Sequence, residues 1–372
     1  MQFLEYVGGP GSERFEMTSS VGIRGVALYL PPIVRRNDWW PSEVVARWQS
    51  DRARQRVLPP TGRLSPGATR VLAALAEQAA DPFQETVARH VMPDDMTVLD
   101  MAEQAARLAI TRAGVAVHDI DLLLTYTVMP DVLLGNPATQ LHHRLGLPRR
   151  CFAMETSAAA HSFLMQLTLA ESMIASGRAR LALLVQVCGA SRAIDLDDPI
   201  SPLFGDGATA VIVGPVSSGR GIQTCLHYAD GRHPNTLVAG VRGGTWSDLG
   251  RGVIHVADAA QMHEVFLETA EVCKESIDAA LAKAGVTVGD IGFFAMYQGT
   301  PWIQRVVQAY AGLQHARLIE TFSRTGYLFS AILPAGLALA EQAGLLVDDD
   351  LVLATGGGTG ITFGSIVMRW GP

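Results

Sequence analysis

Residues 109–120 read AITRAGVAVHDI, and residues 280–291 read ALAKAGVTVGDI. Seven of these twelve positions are identical, and both copies contain Ala-Gly-Val-x-Val-x-Asp-Ile. Upstream of each copy, apolar residues recur at helical spacing: Val98, Met101, Ala102, Ala105, Leu108 and Ala109 in the first, Phe266, Thr269, Cys273, Ile277, Ala280 and Leu281 in the second. Gly114 and Gly285 stand where a left-handed residue closes a helix. Each copy then runs into an apolar strand, LLLTYTV after Asp121 and FFAMY after Gly292. A second echo follows. A helix over 161–176 ends at Gly177 before LALLVQV, and a helix over 333–343 ends at Gly344 before LVLAT. Each half therefore reads helix–strand–helix–strand. Strands apolar throughout are buried on both faces, as in a helix-covered mixed or parallel sheet.

The 372 residues suit two similar units. Hydrophobic residues make up 48% and charged residues 17%, so the chain buries a large core and wholesale disorder is excluded. With 29 Lys+Arg against 36 Asp+Glu, and no long basic block, the footprint of nucleic-acid binding is missing. Cys151, Cys188, Cys225 and Cys273 form no CxxC pair, which points to a reducing, cytoplasmic compartment and no zinc site. The N-terminus has no cationic start followed by a long apolar run, so no secretory signal is expected. No stretch reaches the ~18 apolar residues of a membrane span, so no membrane partner is expected either.

Residues 37–95 interrupt the duplicated pattern with DWWPSEVV, RWQSDRARQR, LPPTGRLSPG and ATRVLAALAEQAA. They read as an inserted cap over the first half. Its Arg and Trp residues either line a ligand entrance or form a solvated surface. The expected organisation is an N-terminal extension (1–20), a first half (21–215, carrying the insertion) and a second half (216–372).

A duplicated α/β chain with VGIRGVALYLPPIVRRND, LFGDGATAVIVG and TGGGTGITFGSIVMRW resembles the thiolase superfamily, specifically the β-ketoacyl-ACP synthase III-like branch, over roughly 21–372. The resemblance implies a five-layered αβαβα fold. It also implies an acyl-accepting cysteine at a strand-to-helix elbow, where the helix N-terminus lowers the thiolate pKa and backbone N–H groups hold an oxyanion. A His and an Asn from the second half would assist it. Carried onto CFAMETSAAAHSFLMQL, the nucleophile position falls at Ala160, with Phe163 matching the Phe that follows. The histidine position, in MYQGTPWIQR, falls at Tyr297, with Gln298 matching the next residue. The asparagine position, in SRTGYLFSAILP, falls at Tyr327. All three are altered. A methyl is no nucleophile, and a phenol of pKa about 10 donates hydrogen bonds but is a poor base at neutral pH.

Other residues bear on chemistry. Ser157 is either an acyl acceptor with His161 as its base, or the end of a strand with His161 bonding backbone. Cys188 is either a displaced nucleophile or a small core residue. Glu155 reads as structural. His142 and His143 read as helix-surface residues. The substrate-contacting positions implied by the resemblance are Ala160, Gln298, Gly358 and Trp302. Trp302 takes the place of a carrier-docking Arg, with Arg305 nearby. The turn GGGTG precedes a strand rather than a helix, which disfavours a dinucleotide fold. No cofactor is implied.

These readings imply an acyl thioester, on ACP or CoA, as the substrate of an atypical acyltransferase or cyclase of polyketide or fatty-acyl secondary metabolism. The alternative is a non-catalytic subunit that pairs with an active ketosynthase and shapes its tunnel. A homodimer is expected for the enzyme, through the strand TYTVMPD and the loop VMPDVLLGNPA. A heterodimer is expected for the subunit.

Overall fold

The computed structural model describes residues 20–54, 63–234 and 236–372, with the side chains of 51–54 excepted. The expected extension over 1–20 lies almost entirely outside the described residues.

The first sheet has the order β1-β7-β6-β4-β5. It is built from β1 (Ser20–Tyr29), β4 (Leu122–Val128), β5 (Phe152–Glu155), β6 (Ala182–Gly189) and β7 (Asp206–Val216). The second has the order β11-β12-β13-β8. Its strands are β8 (Gly221–Ala229), β11 (Phe293–Met296), β12 (Leu351–Gly358) and β13 (Thr362–Arg369). β4 and β6 pair in parallel, as do β11 and β12, and the remaining neighbours on that side are antiparallel in both sheets. The two sheets thus repeat one topology.

The sequence echo marks equivalent helices. α3 (Val98–Ala113) and α6 (Ala259–Ala284) both close on a left-handed glycine, Gly114 at φ 62° and Gly285 at φ 69°, and each leads into its sheet through a short 3-10 turn. α5 (Ser162–Ala175) and α9 (Ile332–Gln342) are the second pair. They lie between the sheets. Phe163, Leu164 and Leu167 of α5 and Leu333 and Leu337 of α9 join Leu122 and Leu124 from one sheet and Val352 and Ile366 from the other in a single core. Leu123, pointing the opposite way, packs with α3 and α4 (Pro137–Leu145) outside. β4 is apolar at consecutive positions because it has helices on both faces. α6 and α7 (Pro301–Tyr310) cover the second sheet and complete five layers.

The insertion does not sit as expected. It is spliced between β2 (Ile33–Arg36) and β3 (Ala88–Val91), which pair antiparallel. Of its helices α1 (Ser42–Arg54) and α2 (Pro66–Gln78), α2 packs on α6 and α7 of the second half, with Val71 and Ala74 against Ala270, Cys273 and Ile277. Its apolar stripe needed a partner, and the outer face of α6 supplies one. Trp40 and Trp48 are buried against Phe83, and the Trp48 indole donates to the Asp197 carbonyl at 2.8 Å. They are anchors of the insertion, not walls of an entrance.

A second correction concerns the sheet edge. Of TYTVMPD, Thr125–Val128 end β4, which pairs with β6 along its whole length and with β5 as far as Thr125. The free edge is β5, where Phe152 is half exposed, and the nearby loop presents Val132, Leu133 and Leu134 to solvent. Among the described residues no helix is long and apolar enough to cross a membrane.

Candidate active site

The elbow between β5 and α5 is held by a short chain of hydrogen bonds. The Glu155 carboxylate accepts from the Thr125 hydroxyl and from the Thr127 N–H (2.7 Å), locking β5 to β4. Burial raises the pKa of this carboxyl. Ala159 turns the chain at φ 49°. The Ser162 hydroxyl accepts from the Ala158 N–H (2.8 Å) and donates to the Ala159 carbonyl (2.7 Å). Ala160 comes out at the mouth of α5, buried in an apolar cluster with Cys188, Phe204, Tyr327 and Phe329. Gly358, at the end of β12, touches the same elbow. A methyl there would lie 3.0 Å from the nitrogens of both Ala160 and His161, so only glycine lets the two backbones meet.

Tyr297 and Tyr327 arrive from separate elements. Tyr297 follows β11, and its N–H donates to the Thr355 carbonyl at 3.0 Å. Tyr327 follows α8 (Phe322–Thr325) and bonds the short 3-10 turn ahead of β7, with its N–H on the Leu203 carbonyl at 2.6 Å. Its ring stacks on Phe329 at 4.5 Å. The two phenol oxygens are 2.8 Å apart. Burial pushes Tyr297 up to about 12 and Tyr327 well above 10, so both are neutral at physiological pH. One hydroxyl proton is spent inside the pair, leaving the other free to donate to a third oxygen.

Both rings line an apolar cavity of about 220 Å³. Its walls come from α6 (Phe266, Thr269), from β9 (Leu237–Gly240) and β10 (Val253–Val256), and from the turn Gly357–Thr359. Ala160 is not among the lining residues.

Several expected residues lie elsewhere. Ser157 is exposed, and His161 is 1% exposed and turned the other way. The His161 Nε2 is 2.9 Å from His227 Nδ1, and His227 Nε2 is 2.6 Å from the Thr168 hydroxyl. The expected Ser157–His161 pair is therefore not formed. Gln298 is no ligand contact: its amide accepts from the N–H groups of Thr321 and Phe322 and donates to the Ile319 carbonyl, fastening two loops. Trp302 is fully buried with its ring edge-on to Phe266, so it docks nothing at the surface. Arg305 is at the surface but is paired with Glu85 (3.1 Å) of the insertion. Cys188 is fully buried, its thiol on the Gly205 carbonyl, and burial raises its pKa well above 9. That excludes it as a displaced nucleophile. Cys273 lines the cavity with its thiol pushed to about 12 by burial. Among the described residues no group of three His, Cys, Asp or Glu side chains is placed to hold a metal.

The buried histidines carry a stability prediction. Burial, with the neighbouring His227 second, depresses His161 to about 3, and burial lowers His227 as well. Unfolded histidines protonate near 6.5. Stability is therefore full above that pH and falls as pH drops from about 6.5 towards 3, by up to about 1.4 kcal/mol per pH unit per histidine. Urea unfolding between pH 7 and 5 will show a shallower loss for His227→Asn than for the wild-type chain. Equal slopes would refute the assignment.

Comparison with known proteins places the chain. A family model for 3-oxoacyl-[acyl-carrier-protein (ACP)] synthase III matches residues 154–231, and the model for the C-terminal part of that family matches 281–370. The β-ketoacyl-[acyl-carrier-protein] synthase III of Bacillus pumilus (strain SAFR-032) is 33% identical over 284 residues, which is 76% of this chain and 86% of the relative. The chain belongs to the β-ketoacyl-[acyl-carrier-protein] synthase III family. Solved synthase III folds agree. FabH of Pseudomonas aeruginosa PAO1 superposes with a TM-score of 0.76 at 25% identity, covering 95% of this chain and 99% of that one. The priming β-ketosynthase of the R1128 polyketide biosynthetic pathway gives 0.77 at 24%, covering 97% and 100%. In this chain Tyr297, Tyr327 and the glycine turn of β12 line one cavity, and Gly358 touches the elbow beside it.

The sequence reading missed His227, Thr236, Thr300 and Gln84. Thr300 lies within MYQGTPWIQR but was not singled out there, and the other three lie in no motif. His227 of β8 meets His161 and Thr168, and Gln84, Thr236 and Thr300 come together only around the cavity.

Proposed function

We propose that this chain is an atypical synthase III-like acyltransferase or cyclase of polyketide or fatty-acyl secondary metabolism, working in the cytoplasm on an acyl thioester carried by ACP or CoA. It does not run standard decarboxylative condensation. The supporting observation is the phenol pair, 2.8 Å apart, set in the wall of a 220 Å³ cavity next to an elbow that carries Ala160 instead of a thiol. In this reading the acyl group passes directly to an acceptor. The acceptor O–H or N–H oxygen or nitrogen attacks the thioester carbonyl, its new bond to carbon forms, and the C–S bond breaks. The acceptor's proton ends on the departing thiolate. The free phenol proton donates to the carbonyl oxygen as charge builds there, the role of an oxyanion donor.

Intact-protein mass spectrometry after incubation with acyl-ACP and acyl-CoA tests this. The direct route leaves no adduct while ester or amide product accumulates. A persistent adduct would refute it.

Ala160→Cys supplies a further check. The elbow and the α5 N-terminus remain, so acylation of the new thiol would report that a thioester reaches position 160. Decarboxylation of malonyl-ACP will stay at background, because Tyr297 and Tyr327 are still phenols. Robust ketoester formation by the variant would overturn the assignment of those two positions.

One observation favours the subunit reading. The Tyr327 ring is packed among Phe204, Phe322 and Phe329, and Ala160 does not face the cavity, as in a tunnel filled for support. Oligomeric state separates the two. The enzyme reading predicts a homodimer through the free edge of β5 and the loop around Leu133. Light scattering at micromolar concentration that gave a stable monomer would defeat it, and stability only with an active ketosynthase would favour the subunit.

A further inference from the structure

A third tyrosine stands close to the phenol pair without belonging to it. Along β4, Leu122 and Leu124 point between the sheets and Leu123 points out, so Tyr126 is the next inward side chain. It lies level with the elbow, because the chain leaves β5 beside it: the Thr156 N–H donates to the Thr125 carbonyl at 2.8 Å. Tyr126 is 9% exposed and shares one buried cluster with Ala160, Cys188, Tyr327 and Phe329. Its neighbours show in its titration. Burial raises the Tyr126 pKa, the nearby Cys188 and Glu155 raise it further, and Tyr126 in turn adds to the rise at Tyr327. Phe204 and Phe329 stack on each other and seat Tyr327. Among the described residues Tyr126 takes no part in that stack. It is a ring brought to the elbow by the first sheet alone.

The cavity stops short of this ring. Phe204, Tyr297 and Tyr327 line it, but Ala160, Tyr126, Cys188 and Phe329 do not. A thioester has two ends to place. Its thiol arm enters from solvent, and the cavity wall carries both the partly exposed carboxylates Asp230 and Glu268 and the two phenols. With the arm in the cavity and the carbonyl at the phenols, the acyl chain is left to run past them, towards Ala160. Interiors are close-packed, and extra methylenes forced into filled space are costly. Tyr126 fills that space.

From this arrangement we propose that Tyr126 sets the length of the acyl group. Its ring closes the space behind Ala160, so the group handled is of acetyl or propionyl size rather than a fatty chain. The ring acts by bulk, not by its proton. That the substrate is an acyl thioester rests on the reading above. The closure of the space by Tyr126 does not.

The test therefore uses no thioester. The probes are methyl and octyl methanethiosulfonate on the full chain carrying Ala160→Cys, with peptide mapping to read the mixed disulfide at position 160. The methyl reagent will react at least about tenfold faster than the octyl one. Adding Tyr126→Ala will bring the two rates together. Tyr126→Leu keeps the position apolar and guards against loss of the fold, and it will cut the preference about threefold. Tyr126→Phe keeps the bulk and will keep the preference. Equal rates with Tyr126 in place, or a preference that survives both the alanine and the leucine variants, would overturn the proposal. So would loss of preference in Tyr126→Phe, which would put the hydroxyl in charge, and so would failure of both reagents to reach position 160. A chain that shows the Tyr126-dependent preference yet transfers no acyl group would defeat the transfer reading and leave the closure standing. Wild-type transfer of octanoyl as fast as acetyl groups would do the reverse.

Discussion

Replacing Tyr297 or Tyr327 by phenylalanine will lower turnover by ~10²–10³-fold, the usual cost of losing one oxyanion donor. Either substitution removes one hydroxyl of a pair 2.8 Å apart, so either one disrupts the arrangement that leaves a phenol proton aimed and free. The fold will survive, because the rings keep their shape and their stacking. Each single variant leaves a buried phenol without its partner and will lose about 1–2 kcal/mol in urea unfolding. The double variant removes both partners and will be no less stable than either single one, since an apolar pair in an apolar cluster has nothing to satisfy. This pattern separates a catalytic pair from a merely structural one. Stability that falls further in the double variant, with turnover unchanged in the singles, would leave the phenols with a packing role only. The raised pKa values add a condition: since both phenols titrate far above neutrality, activity will not fall between pH 7 and 9 through their ionisation.

How much of this was legible in the residues varies with the kind of signal. Gly114 and Gly285, closing two helices that share a twelve-residue echo, announced the duplication, and both helices end as read. Periodicity reports which face is buried but not what it is buried against. Val71 and Ala74 lie on the buried face of α2, and nothing local says that α6 of the other half covers them. Phe266, Thr269 and Cys273 lie on the same stripe as Ile277, yet all three also line a cavity. The histidine reading failed for a similar reason. His161 sits beside Ser157 in sequence, but the turn at Ala159 sends one side chain outward and buries the other against His227, sixty-six residues away. Gln298 looked like a site residue because of its neighbour, and its actual work is to hold the 319–322 loop. Contacts between distant segments carry the site, and those are the contacts a single sequence does not display.

The second large effect falls on the backbone beneath Tyr327. Gly326 and Gly205 lie back to back. A methyl on Gly326 would come within 2.9 Å of the Gly205 nitrogen and 3.0 Å of the Phe204 carbonyl carbon, and a methyl on Gly205 would overlap the Thr325 carbonyl oxygen. Gly326 also sits at φ 67° and ψ −176°, a region open essentially to glycine alone. Gly326→Ala therefore combines backbone strain of about 1–3 kcal/mol with overpacking of about 1–3 kcal/mol. We expect a loss of about 3 kcal/mol or more in urea unfolding. The obstructing atoms are backbone on both sides, so no side chain can swing away to relieve the contact. Relief must come from separating the two loops, and that withdraws Tyr327, whose N–H and carbonyl are both bonded across the same seam to Leu203 and Gly205. Turnover should then fall along with stability, at least as far as in Tyr327→Phe. Gly344→Ala is the control: it too is left-handed, at φ 66°, but its added methyl meets nothing within 4 Å, and it is remote from the phenols in the chain. It should cost only about 1 kcal/mol and leave turnover intact. If Gly326→Ala proved no more harmful than Gly344→Ala, the seam would not be what seats Tyr327. The phenol pair would then have to be held by the aromatic stack alone.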